Sequence, residues 1–406
     1  MESIKEILES IFARINVTHK WQQDFLIELF QLVFSVQGRI NYSNLARYST
    51  YNESTFRRNF KKFFDWLNFN LQLMQLSGLQ FSDTIIAAMD CSYLPKAGKK
   101  TFGLDYYFSG TAGRNKKGLE VSLLSLIDVN RTKAWTLDAV QTPANLSAKQ
   151  GDSNTYTRID FYLEQILDLL PQLTTILYFV ADGFYAKTKV FNTLTSHGKN
   201  LITKLRPDAN LRFLYKGPHP KGKKGPKAKY AAKVDWKKLD LRRWSSIGVD
   251  EKYEHLKIYT QILNSPYFKR NFRVVFLLNT KTNQYTLLAS TDIHLEARLI
   301  VKYYQLRFKI EFLFRDAKQF TGLTHCQARD DLSLDFHLNM SLAAVNVAQL
   351  KLSTDSTIHS MNSFVRRAYN SRLINWLFSQ LSSEAKFDIN HPTLETVRNF
   401  GCIQRA

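Results

Sequence analysis

The hydrophobic period of the chain changes near residue 84, and this change narrows the fold classes open to it. Residues 1 to about 80 carry apolar side chains at spacings of three and four and read as helices. Beyond them TIIAAMD (84–90), EVSLLSLID (120–128) and KAWTLDAV (133–140) are short β-rich runs separated by turn residues, which predicts three strands. YTRIDFYLEQILDLL (156–170) has helical spacing, and ILYFVAD follows as a strand ending at Asp182. A helix near 185–197 and a strand NLITKL (200–205) complete the series. Strands and helices in this order predict an α/β fold with a mixed sheet flanked by helices.

Residues 206 to about 290 interrupt that order. They open with the basic, turn-rich KGPHPKGKKGPKAKY (216–230) and continue with three strand-like runs, HLKIYTQIL, FRVVFLLNT and QYTLLAST. This predicts a β-rich insertion entered through a basic loop, whose Lys223 and Lys224 are suited to touching phosphates without reading sequence. One long helix is expected over 295–320, and mostly helix from there to about 385. The expected division is a helical N-terminal region (1–80), a core in two parts (81–205 and 291–345) around the insertion (206–290), and a helical C-terminal region (346–406).

Charge indicates the partner. Lys and Arg number 56 against 35 Asp and Glu, a formal charge of +21, which points to a polyanion, nucleic acid before an anionic membrane. No apolar run reaches the roughly 18 residues of a membrane span. Cys91, Cys326 and Cys402 are too far apart for a CxxC zinc site and odd in number, so neither a zinc ribbon nor a disulfide framework is expected. The first 30 residues lack the features of a secretory signal. A reducing, cytoplasmic setting is expected.

In YYQLRFKIEFLFRDAK (303–318), a helix turning about 100° per residue puts Tyr304, Arg307, Glu311 and Lys318 within about 60° of one another. Leu299, Tyr303, Leu306, Ile310, Leu313 and Ala317 fall on a separate, core-facing side. A glutamate between an arginine and a lysine is open to a plain reading as a surface ion pair. Asp90 and Asp182 each end an apolar run, and each alone reads equally as a turn or cap residue. Together with Glu311 they form a set of hard oxygen donors suited to two Mg²⁺ ions, with Mn²⁺ as a substitute. In such a site the ions activate the attacking oxygen and neutralise the leaving one in displacement at phosphorus.

Near the N-terminus, NYSNLARYSTYNESTFRRNFKKFFDWL divides into two helical patterns around Tyr51 and Asn52. Phe56, Phe60, Phe63, Phe64 and Leu67 form an apolar stripe, with Arg57, Arg58, Lys61 and Lys62 off it. Both a helix-turn-helix contacting DNA and a helical hairpin with a solvated basic face fit this pattern. His325 and His337 lack a metal-ligand spacing and read as structural.

The Y-x2-R-x3-E-x6-K spacing of Tyr304, Arg307, Glu311 and Lys318, downstream of two strand-end aspartates, resembles the signature of the YREK group of bacterial insertion-sequence DDE transposases. The resemblance extends over roughly 84–345. It implies a ribonuclease H-like core with a β-strand insertion, and a metal-binding catalytic triad of Asp90, Asp182 and Glu311. Tyr304, Arg307 and Lys318 match positions that contact DNA phosphates near the cut. The resemblance also implies cleavage of double-stranded DNA at transposon ends, joining of the freed 3′ hydroxyl to target DNA, in some members through a hairpin, and a homodimer holding two ends. In hairpin-forming relatives an aromatic residue of the insertion stacks on a flipped base, so Trp236 and Trp244 are candidates for that role as well as for ordinary packing. A transposase-derived DNA-binding protein and a hydrolytic metal-dependent nuclease of the same fold are the alternatives.

Overall fold

The structure is a computed structural model, and it describes residues 2–15, 19–79, 84–146, 156–219, 225–250, 253–355, 357–380, 388, 391–400 and 402. Five helices come first: α1 (Glu2–Arg14), α2 (Lys20–Ser35), α3 (Tyr42–Arg47), α4 (Glu53–Asn59) and α5 (Trp66–Leu76). Side-chain oxygens of Asn41, Asn52 and Asp65 accept from the Asn44, Thr55 and Asn68 amides at the starts of α3, α4 and α5, satisfying N–H groups that the helices leave open. The two short helices expected around Tyr51 are therefore α3 and α4. The apolar stripe stops sooner than its spacing predicts. Phe56, Phe60 and Phe64 are buried, but α4 ends at Asn59 and Phe63 is 86% exposed in the turn that follows.

The strands are β1 (Ile85–Pro95), β2 (Asp105–Ser109), β3 (Arg114–Asp128), β4 (Lys133–Gln141), β5 (Tyr178–Ala181), β6 (Asn200–Leu205), β7 (Arg212–Leu214), β8 (Tyr230–Lys233), β9 (Ser245–Val249), β10 (Leu256–Ser265), β11 (Arg270–Asn279) and β12 (Tyr285–Ser290). They form one 12-stranded sheet in the order β2-β3-β1-β5-β6-β12-β11-β10-β7-β8, with β4 beside β3 and β9 beside β10. β1, β5 and β6 are parallel, while β3 on one side and β12 on the other run antiparallel to them. Each of the three parallel strands is largely buried, as expected where helices cover both faces. The architecture is mixed α/β and ribonuclease H-like. β12 pairs with β6, so the strands of 206–290 continue the sheet of the core edge to edge.

The other helices are α6 (Arg158–Leu169), α7 (Thr188–Ser196), α8 (Ala297–Leu306), α9 (Lys309–Phe320), α10 (Asp331–Thr354), α11 (Met361–Gln380) and α12 (Pro392–Arg398). The single long helix expected over 295–320 is in fact two, broken at Arg307 and Phe308, where amides bond three residues back (Ile310 to Arg307, Glu311 to Phe308). α10 is buried around most of its circumference and joins the helical layer to the sheet. Its Phe336 lies 4.6 Å from Phe60, and its Asn346 bonds both ways with the Thr136 backbone in β4 and reaches Asn70. Phe364 of α11 meets Phe34 of α2 at 4.9 Å. Among the described residues no helix is long and apolar enough to cross a membrane.

Candidate active site

The sheet register brings the two aspartates together. Met89 of β1 stands beside Ala181 of the parallel β5, so Asp90 and Asp182 are the next residues on neighbouring strands, about 5 Å apart along the hydrogen-bonding direction. β5 ends at Ala181 while β1 runs on to Pro95. That leaves a crevice at the carboxyl end of the parallel strands, where open α/β sheets take their ligands. Asp182 also fulfils the plain expectation of a cap: its Oδ1 accepts from the Phe184 amide at 2.9 Å, and its carbonyl accepts from the Thr203 hydroxyl at 2.7 Å.

The break between α8 and α9 delivers the third carboxylate. Arg307, at the break, is only 7% exposed at its side chain; its Nη1 donates to Asp90 Oδ2 at 3.2 Å and its Nη2 to Glu311 Oε1 at 3.1 Å. Seven residues after Glu311, Lys318 donates to the Ser92 hydroxyl at 2.7 Å and the Tyr93 carbonyl at 3.2 Å. Both cations of the quartet therefore hold the segment of β1 that carries Asp90. Tyr304 lies half-buried beside the guanidinium, 5.7 Å from its ring centroid. Of the residues expected on the core-facing side, Tyr303, Leu306, Ile310, Leu313 and Ala317 are buried and Leu299 is half-buried against the core.

Burial dominates the electrostatics. It pushes the Asp90 carboxyl up to about 7, against the pull of Arg307, with Asp182 and Glu311 adding to the rise. Burial weakens the hold of Arg307 on its proton, but Asp90, Tyr304, Glu311 and Asp182 outweigh it and leave the guanidinium more firmly protonated than usual. Burial lowers Lys318, and burial, with Asp182 and Asp90 adding to it and Arg307 opposing, raises Tyr304, whose phenol stays protonated. Burial also drives the Cys91 thiol well up, and its sulfur lies 3.2 Å from the Tyr185 hydroxyl, so it is not a ready thiolate ligand. A cleft of about 360 Å³ opens between β1 and α9, lined by Asp90, Ser92, Glu311, Phe314 and Lys318 among others.

In chemistry the donors suit a hard divalent cation, since Asp90, Asp182 and Glu311 offer only oxygens. Arg307 occupies the space between two of them, and among the described residues no group of three or more His, Cys, Asp or Glu stands close enough to hold a metal ion.

The other predicted residues are spread over the molecule. Arg57, Arg58, Lys61 and Lys62 are exposed at the end of α4. Arg57 pairs with Glu53 and stacks on Tyr42, Lys61 stands 4.0 Å from Asp330, and Lys62 lies over Trp21. Lys223 and Lys224 lie outside the described residues. Trp236 donates to the Ala209 carbonyl and stacks near Phe276 and Tyr285, while Trp244 is 5% exposed and lies 6.1 Å from Trp236. The structure thus places both indoles in the aromatic core of the insertion, matching the packing alternative. His325 accepts from the Ile40 amide and buried His337 bonds the Gly322 carbonyl, the structural roles expected of them. The sequence reading missed Ser92, the anchor of Lys318. Its position two residues after Asp90 was the available signal; that aspartate, expected at a strand end, lies in mid-strand because β1 stays paired with β3 as far as Pro95.

The family model of the DDE superfamily endonucleases matches residues 16–259. That span holds α2 to α5, Asp90 and Asp182; it begins after α1 and stops short of Glu311. Among curated proteins no match was found. With more than half its length matched, two aspartates side by side on parallel strands and a glutamate linked to the first of them through Arg307, the chain belongs to the DDE superfamily endonucleases.

Proposed function

We propose that the protein is a DNA transposase of the YREK group, of insertion-sequence origin, that cuts DNA at element ends and joins the freed 3′ hydroxyls to target DNA. One observation carries this reading: two side chains of the quartet, Arg307 and Lys318, meet the β1 strand beside Asp90, more than 200 residues away in sequence. A helix face making only surface ion pairs gives no reason for that convergence.

Asp90, Asp182 and Glu311 would hold two Mg²⁺ ions, or Mn²⁺ in their place, which supply activation of the attacking oxygen and charge neutralisation at the leaving one. The chain's own groups handle the phosphate. The planar fork of Arg307 matches two phosphate oxygens as well as it matches two carboxylates, and Lys318 acts as a point charge. Tyr304, protonated throughout the physiological range, donates its hydroxyl to a phosphate oxygen. The core-facing side of α8 and α9 keeps these groups at fixed height over β1, so orientation comes from packing. Arg57, Arg58, Lys61, Lys62, Lys223 and Lys224 add sequence-independent attraction to duplex DNA. A homodimer, formed through the C-terminal helices, holds the two ends for coordinated cutting. A hairpin intermediate is part of this proposal only where strand opening exposes the second strand to the same site.

The test is an assay of the purified protein on labelled duplex taken from the DNA flanking its coding sequence, with a second duplex as target. Metal-dependent nicks at a defined end, followed by covalent joining to the target, support the transposase reading. Nicks without joining reduce it to a hydrolytic nuclease, and binding without nicks to a DNA-binding protein.

A further inference from the structure

The hairpin formed by β2 and β3 lies outside the site described above and was not anticipated from sequence. Ser109 pairs with Arg114 across a four-residue turn, and Tyr106 pairs with Lys117 and Phe108 with Asn115. Side chains directly opposite on antiparallel strands share a face. One face therefore presents Tyr106 and Phe108, each 59% exposed, beside Asn115 and Lys117. Arg114 and Lys116 alternate with these on β3 and are exposed as well. Tyr107 points the other way and is fully buried, with Arg158 on its ring at 4.5 Å.

Two exposed aromatics on an edge strand are a liability unless something covers them. The charge around them says what. Lys99, Lys100, Arg114, Lys116 and Lys117 are all exposed, and none makes an ion pair among the described residues. The lone acid of this stretch, Asp105, is turned inward to the Asn145 amide and lies 3.9 Å from Arg158. A second copy of a chain carrying +21 would bring like charge to this face; a polyanion brings the opposite one.

Position supports the same partner. Asp90 pairs with Leu123 of β3, and Lys117 lies six residues further along that strand, about 20 Å at about 3.4 Å per residue. A duplex rises about 3.4 Å per base pair, so for a duplex laid along β3 this offset is about six base pairs. We propose that the β2–β3 hairpin is a second duplex-contacting surface, gripping DNA about six base pairs from the cut. Lys117 contacts a phosphate beside Tyr106 and Phe108, which lie against the sugars and base edges of a groove, while Arg114 and Lys116, exposed on the other face, reach the flanking phosphates around the edge and tip of the hairpin. The proposal rests on the DNA-directed reading of the catalytic site.

The experiment uses the full chain and the labelled flanking duplex, with dissociation constants measured by fluorescence anisotropy across a salt series and contacts mapped by hydroxyl-radical footprinting. One variant combines Arg114→Ala, Lys116→Ala and Lys117→Ala; the other combines Tyr106→Ala and Phe108→Ala. Circular dichroism melts check that each is folded. The charge variant is expected to bind about tenfold or more weaker, with the salt slope reduced by about 2 to 3. The aromatic variant is expected to bind about tenfold weaker with the slope unchanged. Both should lose protection about six base pairs from the cut while keeping it at the cut. Wild-type affinity and footprint in both variants would overturn the hairpin proposal alone. A changed oligomeric mass with unchanged DNA affinity would overturn it in favour of a contact between copies. A wild-type protein that binds no duplex would overturn the functional reading and the hairpin proposal together.

Discussion

Arg307 joins Asp90 to Glu311, donating to the first at 3.2 Å and to the second at 3.1 Å from a side chain that is almost wholly buried. The two carboxylates belong to a central strand and to a helix that follows the whole insertion. A single guanidinium therefore sets their separation. Its planar fork does this in a way that an ammonium cannot reproduce.

Arg307→Lys is expected to keep the fold and to lower the cleavage rate by about two orders of magnitude, because one point charge replaces a two-point hold. Arg307→Ala leaves Asp90 unpaired and is expected to cost about 3 kcal/mol of stability. Urea unfolding and single-turnover cleavage on the same preparations separate the two effects.

Asp90 predicts a pH dependence. Its folded pKa of about 7 lies above its unfolded value of 3.8. Between these values the folded state keeps a proton that the unfolded chain has released, so stability falls as pH rises through that window. Asp90→Asn removes the dependence. In the absence of divalent metal the variant should be more stable than wild type at pH 7.5 by about 2 kcal/mol, with a smaller difference at pH 4.5. Thermal melts at the two pH values check this.

Lys318 is held by Ser92 and Tyr93, and burial lowers its pKa. Lys318→Met is expected to change stability little, since a desolvated ammonium is exchanged for an apolar side chain. Affinity for duplex should fall several-fold and the salt slope by about 1, the mark of one lost phosphate contact.

His337 acts in the opposite sense to Asp90. It is buried against the Gly322 carbonyl, and burial pushes its pKa down to about 4 from 6.5. Its contribution is fully present above pH 6.5 and is lost as pH falls through 4, because the unfolded chain takes up the proton first. In an Asp90→Asn background, the contribution of His337 should fall between pH 7 and pH 4 by up to about 3 kcal/mol, a drop in urea midpoint set against the opposite trend of Asp335, whose carboxyl burial raises to about 6. Adding His337→Asn should flatten that drop.

Much of this site was legible in the sequence because its signals are local. The apolar runs ending at Asp90 and Asp182 become β1 and β5, and NLITKL becomes β6 over the expected residues. Tertiary pairing was not legible. Nothing in ILYFVAD says that Ala181 sits beside Met89, and nothing in QYTLLAST says that β12 continues the core sheet through β6. The wheel of 303–318 treats as one helix what is two, since spacing cannot register the tightened turn at Arg307. Phe63 was misplaced for a similar reason: a stripe drawn by period runs on past the cap where α4 ends. β2 was missed because DYYFS is short and two of its three aromatics face outward, so, like the short β7, β8 and β9, it lacks the apolar run by which the other eight strands were found. Its signal was the alternation around GTAG followed by RNKK.

Glu311 is the residue on which the account depends most, because it lies beyond the span matched to the DDE endonucleases and is tied to Asp90 only through Arg307. The direct measurement is single-turnover cleavage of the flanking duplex with Mg²⁺ or Mn²⁺ by wild type and by Glu311→Gln, with DNA affinity recorded in parallel. The account predicts that the variant binds DNA as wild type does and cuts at least about a thousandfold more slowly with either metal. Cleavage by Glu311→Gln at the wild-type rate would contradict it and remove the glutamate from the catalytic set.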